Sequence, residues 1–146
     1  MGKILGRVLR ILAWLAPIYQ FRSSVYRKCG IKIGKGVYIG NLVKFDGEFP
    51  EYITIDDWAS IAPGVSIMAH SSASSYHQRN ALYAGPPKEV HIRKGAWIAS
   101  DAIILPGSDI GEGAIVAAGA VVSGKVEPFT LVAGNPSRFV RKLKNE

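Results

Sequence analysis

The sequence of 146 residues has a single cysteine and no long apolar run, and its first 35 positions contain no acidic residue. One cysteine cannot form an internal disulfide, which excludes the small disulfide-stapled secreted scaffolds and fits a reducing compartment. The longest unbroken apolar run, Ile11 to Tyr19, has nine residues and contains Pro17. A transmembrane helix needs about 20 residues. We therefore expect a cytoplasmic, single-domain protein, since the chain is too short for two ordinary domains.

The positive charge of the chain is concentrated near its start. The formal net charge is +7; residues 1–35 contain eight basic residues, whereas residues 36–146 contain ten basic and eleven acidic residues. Because the body is nearly neutral, nucleic acid is not an expected partner. Apolar residues at helical spacing predict a basic amphipathic helical segment over residues 1–30. This helix either contacts the inner face of the cytoplasmic membrane, or covers one end of the domain or packs on another subunit.

A six-residue repeat dominates the rest of the sequence. From residue 92 the chain divides into hexads that open with Ile92, Ile98, Ile104, Ile110, Val116 and Val122. Earlier hexads, in another phase, begin at Ile33 and Ile55. A hexad is too short for a helix and a turn, but it fits a short strand followed by a bend. Three such strands make one triangular coil, so the repeats predict an all-β solenoid whose opening residues fill a narrow core.

Two insertions interrupt the hexads. Residues 47–54 add four residues to a coil and predict a small bulge at a corner. Residues 70–91 form a long polar loop that contains or adjoins the three histidines, His70, His77 and His91. Long loops within compact domains are disproportionately functional. His70 directly follows a predicted strand, and imidazole accepts a proton near neutral pH, so His70 is the candidate general base. A surface histidine without a function is the alternative.

Several motifs together resemble a known family. They are PGVSIMAHSS at residues 63–72, QRN at 78–80, and the stretch from Gly85 to Leu143 that contains the hexads and GNPSR. These motifs resemble the sugar O-acetyltransferase branch of the hexapeptide-repeat acyltransferases, which includes maltose, galactoside and surface-polysaccharide acetyltransferases. The resemblance covers residues 33–143.

The resemblance implies a fold and an activity. The fold is a left-handed parallel β-helix over residues 31–136, with a short N-terminal helix, a protruding loop at 70–91 and a basic C-terminal tail at 137–146. The activity is direct transfer of an acetyl group from acetyl-CoA to a saccharide hydroxyl in surface polysaccharide biosynthesis (O-antigen, capsule or exopolysaccharide), without a metal. The assembly is a homotrimer with a cleft between neighbouring subunits.

The resemblance also assigns roles to individual residues. His70 matches the catalytic base, and backbone N–H groups near the cleft are expected to stabilise the oxyanion. The residues expected to line the coenzyme A groove are Trp97, Ser100, Ala118, Ser123, Arg138 and Arg141. The residues expected to bind the acceptor are Asn41, Asp46, Arg79 and Tyr83. For Asn41 and Asp46, steadying the His70 ring and plain corner polarity are further interpretations.

Two positions depart from the family pattern. Gly124 stands where the family usually has lysine, with Lys125 one residue later, and Ser71 follows the base where proline or aspartate is common. The coenzyme A groove therefore lacks one cationic contact that the family pattern would supply, and the residue that orients the base is unassigned. Two other functions stay open. One is a noncatalytic trimeric scaffold at the membrane; the other is a metal enzyme resembling gamma-class carbonic anhydrases, with the three histidines as zinc ligands.

Overall fold

The structure, a computed structural model, describes residues 8–9, 11–13, 19–71, 74–82 and 85–143. Residues 8–9 and 11–13 are helical. The other helices are α1 (Tyr19–Lys28), a 3-10 helix (Pro50–Tyr52) and α2 (Ser75–Arg79). The strands are β1 (Lys32–Ile33), β2 (Tyr38–Ile39), β3 (Lys44–Phe45), β4 (Ile53–Ile55), β5 (Ser60–Ile61), β6 (Ser66–Ile67), β7 (Val90–Ile92), β8 (Trp97–Ile98), β9 (Ile103–Ile104), β10 (Asp109–Ile110), β11 (Ile115–Val116), β12 (Val121–Val122), β13 (Lys125–Val126), β14 (Thr130–Ala133) and β15 (Arg138–Lys142).

These strands build three parallel sheets that form the sides of a triangular prism. Sheet 1 has the order β1-β4-β7-β10-β13, sheet 2 the order β2-β5-β8-β11-β14-β15, and sheet 3 the order β3-β6-β9-β12. Each of the first four coils contributes one strand to each sheet, and the fifth contributes β13 and β14. Each of these strands pairs with its counterparts in the neighbouring coils. The exception is β15, which pairs with β14 in the antiparallel direction.

The opening residues of the hexads stack in columns inside the prism. In sheet 2, for example, Ile39 pairs with Ile61, Ile61 with Ile98, and Ile98 with Val116. All four side chains are fully buried. Side chains alternate along a strand, so one residue of each two-residue strand points into the core and its neighbour points outward. Burying each aliphatic side chain stabilises the coil by about 1.5–3 kcal/mol.

The last hexad differs from the prediction. Six residues after Val122 the next opening residue would be Pro128, but Val126 takes that place: it lies in β13 and pairs with Ile110. The two-residue corner Ser123–Gly124 joins β12 to β13, and Gly124 adopts a φ of +89°, a conformation that glycine reaches without strain. The period breaks here because this corner has two residues where a regular hexad has four.

Both insertions lie at the same corner, between sheets 3 and 1. Residues 46–52 connect β3 to β4, and residues 68–89 connect β6 to β7 one coil further on. The first insertion is the predicted bulge and contains the 3-10 helix. His91 lies in β7, beyond the loop. Because the two connections lie on adjacent coils, residues more than twenty positions apart meet at this corner.

Helix α1 covers the open end of the first coil. Its side chains donate hydrogen bonds to backbone carbonyls of that coil: Arg22 Nη1 to Ile39 (2.9 Å), Ser23 Oγ to Val37 (3.2 Å), Tyr26 OH to Val43 (3.2 Å) and Arg27 Nε to Ile33 (2.9 Å). Carbonyls at the end of a solenoid have no further coil to pair with, so these donors satisfy them. For residues 19–28, the structure thus supports the interpretation that the segment covers the domain end. None of the helices in the described part of the chain has the length and apolarity needed to traverse a bilayer.

The C-terminal residues do not all form the expected tail. Residues 138–142 form β15, with Arg138 opposite Ala133 and Arg141 opposite Leu131. The turn after Gly134 is fixed to sheet 3, since the backbone N–H of Ser137 donates to the carbonyl of Val121 (2.9 Å). The hexad pattern ends before this strand, so the pattern alone did not predict it.

Candidate active site

His70 lies directly after β6, and its ring is held by a buried carboxylate. Its Nδ1 lies 2.5 Å from Oδ2 of Asp46, 24 positions earlier in the chain. The Asp46 side chain is fully buried, whereas 17% of the His70 side chain is exposed. Asp46 is the orienting partner that the sequence left unassigned. Of the roles considered for this aspartate, steadying the ring is the one that the geometry supports.

The Asp46 carboxylate accepts four further hydrogen bonds, all from backbone N–H groups. Oδ1 accepts from Glu48 (2.9 Å) and Phe49 (3.1 Å), and Oδ2 accepts from Ala69 and His70 (3.0 Å each). Burial by itself would raise the pKa of Asp46, but the hydrogen bonds from the His70 side chain and from the backbone of Phe49, Glu48 and Ala69 lower it below its ordinary value. Asp46 is therefore ionised at neutral pH.

The charge of Asp46 determines which ring nitrogen of His70 can act as a base. An ionised carboxylate only accepts hydrogen bonds, so Nδ1 carries the proton that it donates to Asp46. In the neutral imidazole, Nε2 is then the unprotonated nitrogen, and it lies on the side of the ring opposite to Asp46. This is the arrangement that a general base needs: one nitrogen fixed from behind and the other presented to a substrate.

Two residues of the first insertion complete the surroundings of the ring. The Phe49 ring meets the His70 ring edge to face, with centroids 5.0 Å apart. Oε2 of Glu48 lies 3.4 Å from Nε2 of His70. Sequence reasoning treated this insertion as a plain bulge and missed both residues. The available signal was their position, since the insertion lies at the same corner as the long loop, one coil earlier.

A cavity of about 510 Å³ opens at the same corner. Its lining includes Ser71, which follows the base, together with Lys88 and Ser123. Ser123 also lines a second cavity of about 250 Å³, to which Phe139 and Lys142 of β15 contribute. The shared serine therefore connects the surroundings of His70 to the C-terminal strand.

The predicted cofactor residues lie in four places. Ser123 is at the His70 corner, and Arg138 and Arg141 are exposed on β15. Ser100 and Ala118 lie at a different corner, between sheets 2 and 3, where the Gly119 N–H donates to the Ser100 carbonyl. Trp97 points outward from sheet 2 and is 49% exposed. Within this chain these residues do not converge on His70. Lys125 follows the position where the family usually has lysine, and its Nζ lies 3.0 Å from Oε1 of Glu127.

The predicted acceptor residues are also separated. Asp46 is buried behind His70, as described above, and Asn41 is exposed at the corner between sheets 2 and 3. Arg79 is exposed on α2 in the long loop. Tyr83 lies outside the described residues. Of the three acceptor residues that the structure describes, Asp46 is the one shown in contact with His70.

The three histidines have different partners. His77 Nδ1 lies 2.7 Å from Ser74 Oγ at the start of α2, and His91 Nε2 lies 2.8 Å from Asp56 Oδ2 on sheet 1. His70 is bound to Asp46. The structure therefore does not bring the three imidazoles together as one ligand set. In the described part of the chain, no group of three or more histidine, cysteine or acidic side chains is arranged to hold a metal ion.

The sequence is similar to those of hexapeptide transferases. The bacterial transferase hexapeptide family (six repeats) matches residues 89–124. A protein of Staphylococcus aureus (strain COL) named as an acetyltransferase is 36% identical over 119 residues, covering 80% of this chain and 57% of that protein. The galactoside O-acetyltransferase of Escherichia coli (strain K12) is 30% identical over 137 residues, covering 91% of this chain and 62% of that enzyme. The chain thus spans less than two thirds of the length of either relative.

Solved structures share the fold. The crystal structure of a hexapeptide-repeat containing acetyltransferase from Vibrio cholerae is 27% identical, with a TM-score of 0.72 over 98% of this chain and 91% of that one. A Vibrio cholerae hexapeptide-repeat acetyltransferase complexed with acetyl coenzyme A gives a TM-score of 0.74 at 24% identity, over 98% of this chain and 87% of that one. The all-β solenoid predicted from the repeats, and the left-handed parallel β-helix implied by the resemblance, are thereby confirmed. The hexads, the family match over residues 89–124 and the shared fold make the chain similar, in sequence and in structure, to the hexapeptide-repeat transferases.

Proposed function

We propose that the protein transfers an acetyl group from acetyl-CoA to a saccharide hydroxyl, with His70 as the general base. The observation that carries this proposal is the contact between His70 and the buried, ionised Asp46 at the cavity corner. Similarity to the galactoside O-acetyltransferase of Escherichia coli supports the acceptor class, and the acetyl coenzyme A complex of a structural neighbour supports the donor.

The proposed chemistry is a direct transfer. Nε2 of His70 takes the proton of the acceptor hydroxyl while the hydroxyl oxygen attacks the thioester carbon. The C–S bond breaks, and the leaving sulfur of coenzyme A takes the proton back from the imidazolium. Asp46 stabilises the positive charge that the ring carries between these two proton transfers. Backbone N–H groups at the cleft stabilise the negative charge on the carbonyl oxygen.

The two cavities joined at Ser123 fit the donor. His70 follows β6 in the second coil, and β15 lies one strand beyond the fifth coil. Four strand spacings of about 4.8 Å separate them, so the base and the C-terminal strand are roughly 19 Å apart along the prism. The thioester end of acetyl-CoA would lie near His70, and its phosphates near Arg138 and Arg141. Lys88, in the cavity next to Ser123, supplies a cation near the place where the family lysine is missing.

We also propose that the working unit is a homotrimer. The outward residues of sheet 1 are charged or polar, including His91, Asp109 and Lys125, whereas sheets 2 and 3 expose Tyr38, Trp97 and Ile103. Exposed aromatic and aliphatic side chains on flat faces favour subunit contacts. A neighbour packed on these faces would bring its Ser100 and Ala118 corner, with Trp97, toward the His70 corner, which explains why the predicted cofactor residues are apart within one subunit.

The acceptor is proposed to be a growing surface polysaccharide handled at the inner face of the cytoplasmic membrane. The support lies in the N-terminal segment. Leu9 and Ala13 pack against the core, whereas Val8, Ile11 and Leu12 are about half exposed. Exposed apolar residues in a segment rich in basic and free of acidic residues favour an anionic lipid surface.

The experiment that tests the proposed function is replacement of the base. The full-length protein is incubated with acetyl-CoA and with methyl galactosides, maltose or lipid-linked oligosaccharides, and the release of coenzyme A thiol is measured. His70→Ala is expected to lower acceptor-dependent release about a hundredfold to ten-thousandfold, the usual range for loss of a general base. Binding of acetyl-CoA should be retained, since His70 is outside the aliphatic core.

Two histidine variants are the matched controls. His77→Ala and His91→Ala remove rings that contact Ser74 and Asp56, so neither should approach the loss seen for His70→Ala. Equal losses in all three variants, together with loss of a bound metal, would support the zinc enzyme instead. A wild-type protein that releases no thiol with any acceptor would leave the noncatalytic scaffold as the function.

A further inference from the structure

Glu48 holds a carboxylate beside the nitrogen that must take the substrate proton. Its Oε2 lies 3.4 Å from Nε2 of His70, and its side chain is 65% exposed. The opposite ring nitrogen is bound to Asp46. The ring thus lies between a buried carboxylate and an exposed one, and the exposed one is on the side that a substrate approaches.

The position of Glu48 is fixed by its backbone. Its N–H donates to Oδ1 of Asp46 (2.9 Å), and the N–H of the following Phe49 donates to the same oxygen (3.1 Å). The Phe49 ring also packs against His70. Because the backbone and Phe49 hold this segment, the Glu48 side chain is available for another task.

We propose that Glu48 is the residue that selects the acceptor: its carboxylate accepts a hydrogen bond from a hydroxyl adjacent to the reacting one, and it disfavours acceptors with a negative charge at that place. This inference rests on the proposed function, since it takes His70 as the base.

The chemistry of the two groups supports this role. A reacting hydroxyl within hydrogen-bond distance of Nε2 lies next to Oε2 of Glu48, and a neighbouring hydroxyl on a sugar ring is within reach of the same oxygen. An ionised carboxylate only accepts hydrogen bonds, so the acceptor must offer a second donor. Like charges at such distances repel each other, so a uronic acid carboxylate next to the reacting hydroxyl is disfavoured.

The proposal accounts for the four residues inserted between β3 and β4. A regular hexad would turn from β3 directly into β4, and no residue of the first coil would reach past His70. The added residues carry Glu48 and Phe49 around the ring of the next coil. The chain departs from its own repeat at the place where an acceptor would be recognised.

The test uses the full-length protein with acetyl-CoA and three kinds of probe: methyl β-D-galactopyranoside, its monodeoxy analogues and methyl β-D-galacturonide. The wild type is expected to prefer the parent galactoside to one deoxy analogue by about tenfold to a hundredfold in kcat/KM. Glu48→Ala should reduce this preference to about twofold. Glu48→Gln retains an accepting oxygen, so it should preserve most of the preference while weakening discrimination against the galacturonide.

Glu51→Ala is the matched control, because Glu51 is an exposed glutamate in the same insertion. It should leave both preferences unchanged. If Glu48→Ala keeps the wild-type preference, the selection role is refuted while the proposed function stands.

A binding measurement separates this inference from the proposed function. Saturation-transfer NMR reports binding of the galactoside and its deoxy analogues to wild type and to Glu48→Ala without any acetyl transfer. If the wild type acetylates nothing, yet Glu48→Ala loses the preference in binding, Glu48 recognises a sugar hydroxyl but the transferase function, and with it the choice of an acceptor, fails. If binding shows no dependence on Glu48, the inference fails, whatever the activity.

Discussion

Replacement of Asp46 by asparagine tests how the protein holds its base. The carboxylate accepts five hydrogen bonds, three at Oδ2 and two at Oδ1. An asparagine has one accepting oxygen, and its NH₂ group must face N–H donors. Whichever way the amide is turned, at least two donors lose their acceptor. Each buried donor left unsatisfied costs about 1–3 kcal/mol, so the loss of two acceptors in Asp46→Asn should lower the free energy of unfolding by about 2–6 kcal/mol.

The same change should lower activity through His70. In the wild type, Nδ1 of His70 donates to the charged carboxylate of Asp46, and hydrogen bonds to charged groups contribute about 1.5–3 kcal/mol. Loss of this stabilisation of the imidazolium should decrease kcat about tenfold to a hundredfold. The KM for acetyl-CoA should change little, because Asp46 is buried behind the ring and away from the cavities.

The free energy of unfolding of the wild type should also fall at low pH, and Asp46→Asn should remove this pH dependence. The pKa of Asp46 in the folded protein is below the ordinary value of 3.8, since the hydrogen bonds to the carboxylate outweigh its burial. A depressed pKa stabilises the fold at pH values above the unfolded pKa, and this contribution is lost as pH falls through 3.8 toward the folded pKa. The wild type should therefore lose more stability than the variant between about pH 5 and pH 3.

Thermal and urea unfolding at pH 7 and pH 3.5, with coenzyme A release at pH 7, measure these effects. Asp109→Asn is the matched control. The hydrogen bond from Arg93 lowers the pKa of Asp109 as well, but the pair is exposed and far from His70, so its loss should change unfolding by at most about 1 kcal/mol. The reasoning is refuted if Asp46→Asn stays within twofold of wild-type turnover and unfolds at the same urea concentration at both pH values.

Two other predictions concern the ends of the chain. Replacement of both Arg138 and Arg141 by alanine should raise the KM for acetyl-CoA by about tenfold at low salt, with a smaller effect as salt increases; an unchanged KM at low ionic strength would remove β15 from the donor site. The double variant Ile11→Gln and Leu12→Gln should lose cosedimentation with phosphatidylserine vesicles but still sediment as an active homotrimer, whereas a monomer would assign these side chains to a subunit interface.

The repeat was sufficient to predict the coil. A six-residue period with a branched aliphatic at its start is a local property, and each strand pairs with an equivalent strand one coil away, so Ile61, Ile98 and Val116 stack as the pattern requires. The long loop and His70 at its edge were also visible in the sequence. The six-residue period fails after Val122, because the corner before β13 is two residues shorter than a regular one and the pattern of apolar residues does not record the length of a corner.

Tertiary structure decided what surrounds the base. Asp46 and Glu48 are 24 and 22 positions from His70, and no periodicity in the sequence links them to it. They meet because the two insertions lie at the same corner of the prism on adjacent coils. This alignment depends on the number of residues in every turn between them. The roles of Arg22 and Arg27 were hidden for the same reason. In the sequence they add to a basic segment, but in the fold they donate to carbonyls that the solenoid leaves unpaired at its end.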